Sequence, residues 1–384
     1  MTENPEFLSE QLITYIGNKR SLLPFIGEGI SFVQEKLGKE KLSCLDVFAG
    51  SGVVSRYLKQ FASSLCVNDL ELYSKIINSC YLSNRSEIDE IKLKSIHKNI
   101  LDNVESRMNE MGQGVVPGFI SELYAPKDVF DIKKGERCFY TTRNANYIDF
   151  VSQEIISLVP SELRHFFVAP LLSQVSVHAN TAGIFKGFYK NSKTGIGQFG
   201  GNGKNALNRI QGHIKLPYPL FSNFECPVKV LNMEANEMAE SESVYADVDE
   251  GCFDLVYIDP PYNQHPYGSN YFMLNLVASY ERPDTELISR ISGIPKDWNR
   301  SNYNKRRFAA NVFENLVANL RAKFLLVSFN SEGFISREEM ESLLGRYGKV
   351  TVFESNYNAF RGSRNLHGRD IHVSEFLFVL EKKA

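Results

Sequence analysis

One tryptophan and six cysteines are all that 384 residues contain of these two types. The cysteines, at 44, 66, 80, 138, 226 and 252, form no CxxC pair. That argues against a zinc ribbon and against a disulfide framework, so a reducing cytoplasm is the expected compartment. No window approaches the ~20 apolar residues that cross a bilayer. The first twenty residues carry three glutamates and no basic-then-apolar run, unlike a secretory signal. The seven histidines show no metal-ligand spacing, no metal is expected, and no internal repeat or low-complexity tract is visible. What remains, 43% hydrophobic and 23% charged residues, is ordinary globular composition. At ~150 residues per domain it suggests two or three lobes.

Net charge is only −2, but it is unevenly spread. Residues 183–229 hold seven bases, among them Lys186, Lys190, Lys193, Lys204 and Arg209, against the single acid Glu225. Residues 230–254 hold eight acids and no base. A second basic block, residues 296–307, contains Arg300, Lys305, Arg306 and Arg307 beside Trp298 and Tyr303, a mixture that nucleic-acid surfaces use. Arg361, Arg364 and Arg369 form a third. Such blocks on a neutral chain suit a polyanion-binding face, with solvated loops as the plain alternative.

The pattern of residues 42–58 predicts a strand, a Gly50-Ser51-Gly52 turn and a helix. A second strand over 64–69 and a helix through Tyr73, Ile76, Ile77 and Tyr81 follow, as in a parallel sheet with covered faces. Helices are expected over 88–111, 144–159 and 161–179, the last with Ser161 as a possible N-cap. Residues 191–205, with five glycines, read as a flexible loop. Strands are expected at 228–231, 254–258 and 324–329, then a closing hairpin, 350–354 with 375–380, around a basic loop. The layout is α/β, interrupted by a mainly helical, basic insert: 1–100 and 228–384 form one sheet, 101–227 the insert.

Two motifs sit at strand ends. Asp46-Val47-Phe48-Ala49-Gly50-Ser51-Gly52 closes the first strand, where glycines let a ligand approach the backbone. Asp69, at the end of the next strand, can take both hydroxyls of a ribose. The turn is GxG, not GxGxxG, and no P-loop lysine follows, so a nucleoside cofactor without pyrophosphate fits better. A structural tight turn is the alternative. Asp259-Pro260-Pro261-Tyr262 is more specific. Two prolines after a strand cannot continue a ladder and fix a rigid turn. An acid and a carbonyl side by side accept from an amino group, and a Tyr ring can stack on a flipped base. The plain alternative is a rigid turn with a core Tyr.

YIGNK (15–19), DVFAGSG (46–52), VND (67–69) and DPPY (259–262) occur in the order of the Dam-like class of N6-adenine DNA methyltransferases, which the chain resembles along most of its length. Residues 259–275, LVSFNSEGFIS at 326–336 and the closing EFLFVLEKK are also similar to that class. The resemblance implies a Rossmann-like class I fold, S-adenosyl-L-methionine as methyl donor and double-stranded DNA as substrate, with the insert as target-recognition region. It further implies that Tyr15 and Lys19 help hold the cofactor, with Asp46, Phe48, Gly50 and Gly52 in its turn. Asp69 would bind the ribose, Glu234 would lie near the cofactor's adenine, and Asp259 would serve both cofactor and target base. Asp259, Pro260, Pro261 and Tyr262 would be catalytic. Restriction–modification relatives add a possible, independently acting restriction endonuclease; a monomer is expected. Methylation of RNA adenine or DNA cytosine N4, or an inactive nucleic-acid-binding relative, are the rival readings. Ser173, Ser176 and His178 lack an oriented acid and read as structural, as does His265.

Overall fold

Seven strands form one sheet in the order β3-β2-β1-β4-β5-β7-β6. They are β1 (Leu42–Asp46), β2 (Ala62–Val67), β3 (Val228–Val230), β4 (Phe253–Ile258), β5 (Ala322–Asn330), β6 (Gly348–Asn358) and β7 (His372–Lys382). The chain is seen in a computed structural model that describes residues 2–112, 114–201, 203, 206–261, 263–358 and 372–383. Tyr262, Lys204 and the basic loop with Arg361, Arg364 and Arg369 lie outside the described residues. β3, β2, β1, β4 and β5 pair in parallel, and β7 enters antiparallel between β5 and β6. Strand order reverses between β1 and β4, and in open parallel sheets ligands bind outside the carboxyl ends at such a point.

β1 and β4 are buried along their whole length, as expected for strands covered on both faces. Side chains alternate between two cores. Leu45, Val256 and Leu325 pack under the helices Ala235–Glu240, Arg306–Asn319 and Arg337–Gly345, while Cys44, Leu255 and Leu326 pack under Leu23–Leu37 and Val53–Leu58.

A third core belongs to the insert helices Glu90–Asn109, Thr142–Leu158 and His165–Val177. It includes Tyr73, Ile77 and Tyr81 from the helix after β2, and Tyr271, Phe272 and Leu274 from after β4, so insert and sheet share one apolar mass. Ser161 is not the N-cap of the third insert helix. It opens a short 3-10 turn, Ser161–Leu163, and the helix begins at His165 behind Arg164. The Gly-rich stretch begins as a closed turn: Lys190 bridges Gly197, and Asn191 N donates to the Ile196 carbonyl at 2.8 Å. The terminal hairpin is longer than its apolar run because β6 and β7 stay paired out to Asn358 and His372. No helix among the described residues is long and apolar enough to cross a membrane.

Candidate active site

Three strand ends converge at the switch point: β1 ends on Asp46, β2 runs into Asn68 and Asp69, and β4 delivers Asp259. After β1 the chain turns through Gly50 and Gly52, both left-handed, with φ of 52° and 74°. A Cβ on Gly50 would come within 2.7 Å of the Tyr15 ring, so only glycine lets this turn lie against it. The Gly50 amide donates to Asp69 Oδ2 at 2.7 Å and the Glu71 amide to Asp69 Oδ1 at 2.8 Å. Burial pushes the Asp69 carboxyl up to about 6 against the pull of these bonds. The Ser74 hydroxyl and the Leu70 amide also favour its ionised form. Tyr15 is stacked on Tyr267 and Tyr271, centroids 5.0 and 4.9 Å away, both at 24°.

Asp46 accepts the Ser55 hydroxyl at 2.6 Å through Oδ2, while its buried Oδ1 has no partner among the described residues. Burial raises its carboxyl to about 7. Asp259 Oδ1 lies 3.3 Å from the Lys19 ammonium, which also donates to Glu375 at 2.6 Å. Burial raises the Asp259 carboxyl to about 7; Lys19 opposes the rise and Glu375 adds to it. Glu234 caps the helix Ala235–Glu240, accepting from the Asn236 and Glu237 amides at 2.7 and 3.2 Å. Phe48 meets Tyr303 edge-on at 5.1 Å.

These groups form a cavity lined by Tyr15, Lys19, Asp46, Phe48, Gly50, Asp69, Glu234, Asp259 and Pro261, among others. Gly52 stands behind the wall and shapes the turn, and Pro260 is buried. Five carboxylates line the cavity, Glu71 being the fifth, and among its described lining Lys19 is the only base. That balance suits a ligand with positive charge and hydroxyls and opposes a polyphosphate. Among the described residues no cluster could hold a metal ion.

Residues 15–343 match the D12 class N6 adenine-specific DNA methyltransferases. The chain belongs to this family. It is 27% identical over 372 residues to the Type II methyltransferase M.CviAII of Paramecium bursaria Chlorella virus 1, covering 96% of this chain and 98% of that one. It is 28% identical over 378 residues to the Type II methyltransferase M.NlaIII of Neisseria lactamica, covering 96% and 99%. The Type II methyltransferase M.FokI of Planomicrobium okeanokoites is 27% identical over 377 residues, 96% of this chain but 52% of its own length. The sheet of this adenine-specific DNA methyltransferase is accordingly that of the class I S-adenosylmethionine-dependent enzymes.

Around the methyltransferase cavity, the basic residues fall into two groups. Lys186, Lys190 and Lys193 are exposed, and Lys186 lies 3.3 Å from His265 Nδ1, beside the turn that follows Asp259. Arg300, stacked 4.5 Å over Trp298, and Lys305, Arg306 and Arg307 are exposed on the 296–307 segment. Arg209 stands apart. Its half-buried guanidinium donates to the carbonyls of Val177, Ala179 and Thr181, which commits its donors inward and argues against phosphate contact. Ser176 accepts the Thr14 amide at 2.9 Å and His178 lies 2.6 Å from the Arg209 carbonyl, so both serve the backbone.

Sequence reasoning passed over Glu71, Asn299 and Glu375. Glu71 accepts from Asn275 at 2.6 Å and Asn299 at 3.3 Å, and burial raises its carboxyl to about 7. Its signal was a second acid two residues after Asp69; that of Glu375 was a lone acid in the apolar run EFLFVL.

Proposed function

We propose that the chain is the modification enzyme of a Type II restriction–modification system, acting in the cytoplasm as a monomer on double-stranded DNA. Its methyl donor is S-adenosyl-L-methionine, and a cognate restriction endonuclease acts independently on the same site. The carrying observation is the Asp259-Pro260-Pro261 turn, which lends Asp259 and Pro261 to a cavity whose described lining holds five carboxylates and one ammonium. The orphaned Asp46 Oδ1 and the Gly50 turn, whose close approach to Tyr15 leaves no room for a Cβ, fit a small cationic nucleoside. Asp69 would take its ribose hydroxyls, Glu234 would lie near its adenine, and Tyr15 and Phe48 would wall it. Residues 1–100 and 228–384 make up the catalytic part, and 101–227 include the target-recognition part.

When bound, the cofactor supplies an electrophilic methyl group on a sulfonium. The chain's own contribution is aimed at the adenine amino group, a poor nucleophile because its lone pair is delocalised into the ring. The Asp259 carboxylate and the Pro260 carbonyl accept its two hydrogens and draw the nitrogen towards a tetrahedral geometry. Asp259 is also the group placed to take the proton that the methylated nitrogen sheds. Holding the nitrogen in line is the main device, since orientation in well-ordered sites is worth ~7–11 kcal/mol. Tyr262 stacks on the flipped base. Lys186, Lys190, Lys193, Lys204, Arg300, Lys305, Arg306 and Arg307 contact phosphates. Tritium transfer from labelled S-adenosyl-L-methionine to duplex DNA, RNA or neither tests the reading, and sequencing of methylated bases identifies the site. Label in RNA alone, or in cytosine, overturns it.

A further inference from the structure

At the cavity wall, four elements meet through charged and polar side chains, of which the mechanism above uses only Asp259. Lys19 comes from the N-terminal YIGNK segment, Asp259 from the end of β4, Ser328 from β5 and Glu375 from β7. The Glu375 side chain is 1% exposed and that of Lys19 4%. Glu375 Oε1 accepts from Lys19 and from the Ser328 hydroxyl, each at 2.6 Å, and Lys19 stands 3.3 Å from Asp259. Glu375 pairs with Asn330 of β5 and Ser355 of β6 in the ladder, so its backbone is fixed on both sides.

A buried carboxylate is expensive to desolvate, and apolar replacement of such pairs is often neutral or stabilising. Stability alone therefore gives no reason for an acid at this place. Position does. Lysine carries a compact charge on a flexible four-carbon stem, and a contact at 3.3 Å constrains it less than a hydrogen bond at 2.6 Å. A second, shorter bond removes that freedom.

We propose that Glu375 is a positioning residue for methyl transfer: held by Ser328, it pins the Lys19 ammonium against Asp259, so that the carboxylate facing the target amino group is fixed in place. This rests on the functional reading above. The groups facing Asp259 are Lys19 from the N-terminal segment, Glu375 from β7, Asp46 from β1 and Tyr257 from its own strand. Lys19 favours the ionised form and the two acids oppose it.

Two variants separate position from charge. Glu375→Leu removes the acceptor and should lower kcat tenfold or more, with KM for cofactor and DNA within about threefold, since small misplacements cost this much. Glu375→Gln keeps an acceptor oxygen and should recover most of that rate. Because it removes one negative charge, it should also move the acid limb of the single-turnover rate to lower pH. The same shift should appear in the ¹³C carboxyl titration of Asp259 in ligand-free protein, its signal assigned by loss in Asp259→Asn. A folded Glu375→Leu enzyme with wild-type kcat overturns the proposal, as does an Asp259 titration unmoved in Glu375→Gln. Should Glu375→Leu fail to fold, Ser328→Ala takes its place, with a few-fold loss of kcat expected and none contradicting. The titration needs no methyl transfer, so a wild type inactive on DNA would sink the functional reading separately.

Discussion

Asp259 combines two demands that conflict energetically. Burial raises its carboxyl to about 7, yet the proposed role, accepting from an amino group, needs it ionised. Asp259→Asn removes the conflict and should abolish methyl transfer. At pH 8 the ligand-free variant should melt higher, by on the order of 1–3 kcal/mol, the usual cost of an imperfectly paired buried polar group. A variant with near-normal turnover on duplex DNA would remove Asp259 from the mechanism. Asp69 carries a different load, tying Gly50 to Glu71 through its two oxygens. Asp69→Ala should weaken cofactor binding in calorimetry far more than DNA binding. Gly50→Ala meets both the left-handed backbone and the Tyr15 ring, so a tenfold or greater loss of cofactor affinity is expected, ~1.4 kcal/mol.

Among the elements, the 296–307 segment is tied down by amides that hold its bases in place. Asn299 donates to the Leu70 carbonyl at 3.3 Å and to Glu71, and Asn304 donates to the Asn263 carbonyl at 2.8 Å. The segment therefore touches the cavity wall and the residues after Asp259 at once, with Arg300, Lys305, Arg306 and Arg307 exposed. If these bases and Lys186, Lys190 and Lys193 contact phosphates, each change to Ala should weaken cognate and non-cognate DNA about equally. Each should also reduce the salt slope of log K by about 0.9. Arg209→Ala should instead lower thermal stability and leave the slope unchanged, because its donors end on three carbonyls. A lowered slope for Arg209→Ala would return it to the DNA face.

Across the whole molecule, the cavity concentrates raised carboxyls: Asp46, Glu71 and Asp259 near 7 and Asp69 near 6, all chiefly through burial. The unfolded chain titrates these groups near pH 4. Between there and pH 7 the folded protein binds more protons, so their contribution is present below pH 4 and lost as pH rises to about 7. The ligand-free protein should accordingly lose melting temperature from pH 5 to pH 8. A cationic ligand offsets the cost of ionising these buried groups, so the stabilisation given by S-adenosyl-L-methionine should be larger at pH 8 than at pH 5.5. Thermal shift at matched saturation checks this; equal shifts would mean that the carboxylates do not face the ligand.

By itself the sequence determined the alternation of strands and helices, the glycine turn after β1 and the proline turn after β4. Each is a local matter: burial on both faces writes continuous apolar runs, and glycine and proline constrain the backbone where they stand. It also placed the acids at the strand ends that converge on the cavity. Register and partnership were decided only in three dimensions. Nothing near Glu375 in the chain announces Lys19, 356 residues away, or Ser328 across the ladder. Composition put Arg209 with the surface bases, and only the packing of His165–Val177 turned it inward. A helix cap depends on the exact first turn: Ser161, expected as an N-cap, opens a 3-10 turn instead. The boundary of the insert is likewise a tertiary fact, since Tyr73 and Tyr271 lend their rings to a core begun by helices far from both. Long-range pairing of this kind depends on which surfaces meet after the chain has closed, and that information is not local to any stretch of residues.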